Sequence, residues 1–357
     1  MEKIKVMVVD DSFFMRKLLR ELLGSDSRIE LVGEAKDGTE AVALCMQLKP
    51  DVITLDYNMP SLNGVETIRA IMNLRLDRTP AIVMISAYTS FEAQATFDCL
   101  QAGAVDFIQK PSGELSLDIN ILRQQILYKV HIASKAQVKK FKPSIQKSSR
   151  ESSENINTPD KLLIIGASTG GPPLIEYIVS QLPKSLNMGI IIIQHMPKYF
   201  TSSFSQRLNQ FSPISVKEAS DGDLITTSKI LIAPGNSDMT IEKINNGSNS
   251  SNNIKLTNII NDEGPHPSIN TTMISAAKTF PKKIIAVILT GMGDDGSSGI
   301  KAIKEAGGYV IAQDLSTTVI DSMPKTVINL GLADQVLTPE NIVKRIIELS
   351  STPNYGN

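Results

Sequence analysis

Short apolar runs alternate along this chain with stretches whose apolar residues recur every three or four positions, and the alternation occurs twice. In the first third, Ile4 to Val9, Ile29 to Glu34, Val52 to Leu55, Ile82 to Ile85 and Val105 to Ile108 predict five strands separated by helices. Each connection is long enough to cross over, so the pattern predicts a flavodoxin-like, doubly wound parallel sheet in the order 2-1-3-4-5. The rhythm resumes at Leu162 to Ile165 and continues through Ile190 to Ile193, Ile230 to Ile232, Ile284 to Leu289 and Tyr309 to Ala312. A second, Rossmann-like α/β sheet follows from it. Between the two, residues 131 to 160 hold six Ser, five Lys and Arg150 with no period that would bury a face. The expected organisation is therefore a domain at 1–128, a flexible linker at 129–160 and a larger domain at 161–350. The polar patch Asn245 to Asn253 interrupts two β-like runs and is expected to form a long hairpin loop.

Composition narrows the function. Lys+Arg and Asp+Glu number 36 and 37, for a net charge of -1. That balance disfavours a protein whose affinity comes from phosphate backbones, and residues 161–357 carry no net charge and no recognition-helix pattern. No apolar run approaches the ~18 residues a membrane span needs, and no signal-like segment opens the chain, so a cytoplasmic protein without membrane insertion is expected. Cys45 and Cys99 both fall in predicted helices and read as small buried hydrophobes.

In an open α/β sheet, functional groups collect at the carboxyl ends of the strands. Asp10 and Asp11 end the first predicted strand, Asp56 the third, Ser86 the fourth and Lys110 the fifth. Three converging carboxylates (Asp10, Asp11, Asp56) require a cation, and oxygen ligands suit Mg²⁺. With that charge neutralised, Asp56 is the expected acceptor of a phosphoryl group, with Ser86 and Lys110 holding the new oxygens. This set, with Asn58-Met59-Pro60 and Lys110-Pro111, resembles the receiver domain of two-component response regulators. The resemblance implies that Phe107 is the aromatic switch residue, that Lys110–Pro111 is a cis bond, and that a chemotaxis-type histidine kinase is the phosphoryl donor.

Directly after the strand at Leu162 comes Gly166-Ala-Ser168-Thr-Gly170-Gly-Pro-Pro and then a helical stretch, the strand–turn–helix setting of a G-x-S-x-G nucleophile elbow. Ser168 is the candidate nucleophile, and the N–H of Thr169, at a helix start, could face an oxyanion. A glycine-rich phosphate cradle is the competing reading, although the P-loop lysine is absent. Of three histidines, His131 borders the linker; His195 follows a strand on the same sheet edge as Ser168, whereas His266 sits between prolines in a loop. His195 is the better general base. Asp294 and Asp295, in a glycine-rich loop after a buried strand, both suit the third, orienting position.

The runs Ile165-Gly-Ala-Ser168-Thr-Gly-Gly, Gln194-His195-Met-Pro and Leu289-Thr-Gly-Met-Gly-Asp-Asp-Gly resemble the catalytic domain of the chemotaxis protein-glutamate methylesterases, the CheB family. By that resemblance Ser168, His195 and Asp295 form the triad, and the Met292 N–H joins Thr169 as an oxyanion donor. It further implies hydrolysis of glutamate methyl esters on chemoreceptors, with deamidation of receptor glutamines in many members, and an esterase step needing no cofactor. In that picture the receiver covers the active edge until Asp56 is phosphorylated. A non-hydrolytic, phosphorylation-regulated binding module is the alternative. Pro265 and Asn270 replace a histidine and an aspartate usual in the family, and Asp238 stands where histidine is common. These positions are expected to line the substrate cleft, narrowing receptor choice and weakening deamidation.

Overall fold

The computed structural model describes residues 2–86, 90–110, 115–138, 157–227, 229–246, 249–259 and 264–352, with backbone alone at 90–91, 115–118, 121, 245–246 and 249–250. The chain forms two compact units, Met1–Lys142 and Pro143–Asn357.

The first unit runs β1 (Ile4–Val9), α1 (Phe13–Gly24), β2 (Ile29–Ala35), α2 (Gly38–Leu48), β3 (Val52–Asp56), α3 (Gly64–Met72), β4 (Ala81–Ser86), α4 (Ser90–Ala102), β5 (Asp106–Gln109) and α5 (Leu115–Ala133). Its parallel sheet has the expected order, β2-β1-β3-β4-β5. Central strands β3 and β4 are buried along their whole length, as sheets covered on both faces demand. Helix starts are fixed locally: the Ser12 side chain accepts from the Met15 N–H, Asp37 from Glu40, and Asn63 and Glu66 form a reciprocal capping box. One boundary moves. Helix α5 continues to Ala133, past the expected linker start at 129, because Val130, Ile132 and Ala133 are buried and His131 Nε2 lies 2.8 Å from Asp26 Oδ2.

The second unit runs β6 (Leu162–Ala167), α6 (Gly171–Gln181), β7 (Gly189–Gln194), α7 (Lys198–Phe211), β8 (Ser215–Glu218), β9 (Lys229–Ile232), β10 (Ser237–Asn246), β11 (Asn249–Asn258), α8 (Ile269–Thr279), β12 (Ile284–Ile288), α9 (Ser297–Glu305), β13 (Tyr309–Gln313), α10 (Ser322–Asn329), β14 (Gln335–Leu337) and α11 (Pro339–Ser350). Seven strands pair in parallel as β14-β13-β12-β6-β7-β9-β8. The chain winds outward in both directions from β6 and β12, so the crevice for a ligand lies at their carboxyl ends. The edge strands β8 and β14 escape the periodicity because they are short and half exposed.

An apolar cluster that joins Ile164, Ile193, Met239, Ile269, Met273, Ile288 and Ile300 packs α8, α9 and β10 with the sheet strands β6, β7 and β12. The antiparallel pair β10–β11 corrects the expected long loop: pairing runs out to Asn246 opposite Asn249, so most of the polar patch is strand. Backbone hydrogen bonds hold a two-stranded ribbon whatever its outward side chains are, and polar ones suit a solvated face. At the other end of the unit, the buried Lys161 ammonium donates to the Leu349 and Ser350 carbonyls (2.9 and 3.1 Å) and to that of Thr352, closing the last turn of α11. Among the described residues no helix is long and apolar enough to cross a membrane. Cys45 and Cys99 are free and buried, as expected.

Candidate active site

In the first unit the strand ends deliver the expected groups to one place. Asp10, fully buried, and Asp56, 6 % exposed, flank the exposed Asp11, and an oxygen from each lies within 4.8 Å of the others. Lys110 Nζ reaches Asp56 Oδ1 at 2.8 Å and Asp10 Oδ2 at 3.1 Å. Burial pushes the Asp56 carboxyl up to about 6; Lys110 opposes the rise and the Asp10 charge adds to it. For Lys110, burial favours the neutral amine, but Asp56 and Asp10 outweigh it and the ammonium is held above its usual range. All-oxygen donors with surplus negative charge fit a hard divalent cation. Ser86, buried at the end of β4, accepts from Thr96 Oγ1 at 2.7 Å. Phe107 is buried, with Lys129 Nζ 5.2 Å from its ring centre and donating to its carbonyl. The sequence reading missed Arg16, whose Nη1 donates to the carbonyls of Asp10 and Asp11 and so braces the acidic turn from outside the strand ends. Pro111 lies outside the described residues, and with it the expected cis bond.

In the second unit Ser168 follows β6, His195 follows β7 and Asp295 follows β12, so three adjacent strands present them at one edge. Gly170 starts α6 in the left-handed region (φ 78°), which turns the chain sharply behind the serine. His195 Nε2 lies 2.8 Å from Asp295 Oδ2, while the His195 N–H donates to the Ala167 carbonyl at 3.1 Å, one residue before Ser168. His266 is spoken for elsewhere: its Nδ1 lies 3.0 Å from Asp238 Oδ1. Among the described residues the Ser168 hydroxyl makes no hydrogen bond, an arrangement common before substrate binds. Gly291, the residue before Met292, packs so closely that a Cβ there would stand 2.7 Å from Ser168 Cβ. Thr169 is buried, and its carbonyl accepts from Thr290 Oγ1 at 3.0 Å. Asp294 is exposed and plays no part in this network.

Asp295 is held more firmly than the sequence reading foresaw. Its Oδ2 accepts from the Ile269 N–H (2.8 Å), and its Oδ1 from those of Asn270 (2.9 Å) and Gly296 (3.0 Å). The carboxylate thus sits on the first turn of α8, where orphan N–H groups and the helix dipole favour a negative charge. Burial alone would raise its pKa, but His195 and the Asn270 and Ile269 N–H groups overcome that and hold it below the usual carboxylate range.

At the departures at 238 and 270 the side chains are engaged in hydrogen bonds to neighbouring backbone. Asn270 Oδ1 accepts from the Gly296 (3.0 Å) and Gly299 (2.8 Å) N–H groups and caps α9, whose own N-cap glycine offers no side chain. Asp238 Oδ1 accepts from the Ser268 N–H at 2.8 Å, and Ser268 in turn caps α8 through Thr271. Both polar groups are committed to the backbone that carries Asp295. Pro265 is exposed.

Comparison with known families separates the two units in the same way. Residues 163–346 match the model for CheB methylesterase, and residues 6–121 that for the response regulator receiver domain. A Methanococcus maripaludis protein named protein-glutamate methylesterase/protein-glutamine glutaminase is 42% identical over 98% of this chain and 99% of its own length. The chain belongs to the CheB methylesterase family. A Thermotoga maritima relative of the same name is 40% identical over 97% of this chain and 98% of its own. The crystal structure of the Thermotoga maritima CheB methylesterase catalytic domain superposes with a TM-score of 0.50 at 40% identity, covering 53% of this chain and 98% of that one. The α/β architecture of both units is that of CheB proteins, as the residue pattern led us to expect.

Proposed function

We propose that this CheB-family chain is a phosphorylation-regulated, cytoplasmic protein-glutamate methylesterase that hydrolyses glutamyl methyl esters of chemoreceptors and deamidates receptor glutamines. The observation that carries the reading is the Asp295–His195 contact beside Ser168 at the carboxyl edge of β6, β7 and β12.

In this reading Asp295 engages Nε2 of the imidazole, which leaves Nδ1 as the base. Nδ1 takes the Ser168 proton as Oγ attacks the ester carbonyl, and the developing oxyanion is received by the Thr169 and Met292 N–H groups. His195 returns the proton to the leaving methoxide, methanol departs, and a water activated by the same nitrogen frees the serine and the glutamate product. For a glutamine the leaving group is ammonia. Asp295 stabilises the transient imidazolium, a task helped by its depressed pKa.

The first unit is the input. The Asp56 carboxylate accepts a phosphoryl group from a chemotaxis-type histidine kinase, and Lys110 and Ser86 stand ready for the added oxygens. Mg²⁺, held by Asp10, Asp11 and Asp56, would supply the positive charge that lets three carboxylates share the site. Methanol release from methylated receptor membranes, with and without a small phosphoryl donor, tests the whole reading. S168A should release none; a binding module would release none in any form.

A further inference from the structure

Gln194, the last residue of β7, is 2 % exposed and lies between the nucleophile and the base in space as well as in role. Its amide nitrogen donates to the Ser168 carbonyl at 2.9 Å and to the His195 carbonyl at 3.1 Å. A side-chain amide has two protons, and here one goes to each. The amide oxygen, by contrast, is buried and has no partner among the described residues. A buried acceptor left unpaired is unfavourable, and a hydrophobic side chain of similar length would avoid it, so the cost is tolerated for what the nitrogen does.

A second observation points the same way. A Cβ on Gly171 would stand 2.2 Å from the Gln194 amide oxygen, so the second glycine after Ser168 makes the space into which the amide fits. The Gly171 N–H also donates to the Ser168 carbonyl at 2.9 Å, completing a two-donor grip on that oxygen. In a trans peptide the C=O and N–H point in opposite directions. Gripping the Ser168 carbonyl therefore aims the Thr169 N–H, and gripping the His195 carbonyl with the same group ties the base's main chain to the nucleophile's.

We infer that Gln194 is a positioning residue: its amide clamps the main chain of Ser168 to that of His195 and orients the Thr169 N–H toward the reacting carbonyl. The inference rests on the reading of Ser168 and His195 given above. Gln194 itself touches no reacting atom. Its loss should leave substrate binding intact and misplace the groups that act in the transition state.

The test uses the full chain with Q194M, of similar length but without a donor, and Q194E, of the same shape but with an oxygen facing both carbonyls, beside S168A. Methanol release should show kcat lower by about 10²-fold in both Gln194 variants, with KM changed by less than about threefold. Covalent labelling of Ser168 by a fluorophosphonate should slow in parallel, and calorimetric melting should stay within about 5 °C of the parent. Unchanged kcat, a loss confined to KM, or chains already unfolded at the assay temperature would each overturn the inference, the last by assigning Gln194 to stability. Activity in S168A would remove the underlying site reading instead, and that arm keeps the two failures distinguishable.

Discussion

Asp295 shows how much one carboxylate can be asked to do. It accepts three backbone N–H groups and faces an imidazole, so its replacement by asparagine must turn a donor NH₂ toward one of those donors. D295N is expected to lower kcat by about 10²–10⁴-fold with little change in KM, read by methanol release. Asp56 is perturbed in the opposite sense. Its folded pKa, about 6, lies above the unfolded 3.8, so its contribution to stability is complete below pH 3.8 and is lost as pH rises through 6. D56N should therefore unfold at higher urea than the parent at pH 8 without magnesium, by about 1–3 kcal/mol, and at equal urea at pH 4. Ser168 and Asp56 were legible in the sequence because each carries a local signature: glycines around a serine after a strand, and an acid ending an apolar run. Gln194 and Ser268 were not, because a buried amide and a helix cap look like any polar residue until their partners, distant in sequence, are known.

Among the elements, three helix starts adjoin Ser168 and Asp295. Helix α6 begins after Ser168, α8 holds the Asp295 carboxylate, and α9 begins one residue beyond its N-cap glycine, Gly296. Asn270 links the last two, donating its own N–H to Asp295 while its side chain caps α9. The Asn270 and Asp295 Oδ1 atoms share the Gly296 N–H at 3.0 Å each, so a second carboxylate here would face the first. N270D is expected to keep the cap but make Asp295 easier to protonate, moving the acid limb of the kcat–pH profile up by about one unit. N270A should instead cost about 1 kcal/mol of stability and leave that limb in place. Long apolar strands announced themselves by pattern, whereas β8, β14 and the polar ends of β10 and β11 did not, since short edges and solvated ribbons impose no alternation on their side chains. The last turn of α5 was hidden for a related reason: its three buried residues follow one another too closely before the Ser- and Lys-rich stretch to register as a period.

On the scale of the whole molecule, both units are built alike: a parallel sheet gathers charged and polar side chains at the carboxyl ends of its strands, Asp10, Asp56 and Lys110 in one unit and Ser168, His195 and Asp295 in the other. That common plan is why Asp10, Asp56, Lys110, Ser168 and His195, each at or just after the end of a predicted strand, could be placed on the carboxyl edges of the sheets. The Lys161 grip on the carbonyls closing α11 has a separate meaning. It brings the residue just before the first strand of the catalytic unit against the end of its final helix, so the two ends of that unit lie side by side. A circular permutant joining Thr352 to Lys161 by a short glycine-rich bridge, and opened between Asn246 and Asn249, should fold and hydrolyse methyl esters at a rate near that of the unpermuted unit, as methanol release would show. Where the chain is cut would then matter less to the chemistry than which residues the sheet's edge holds together.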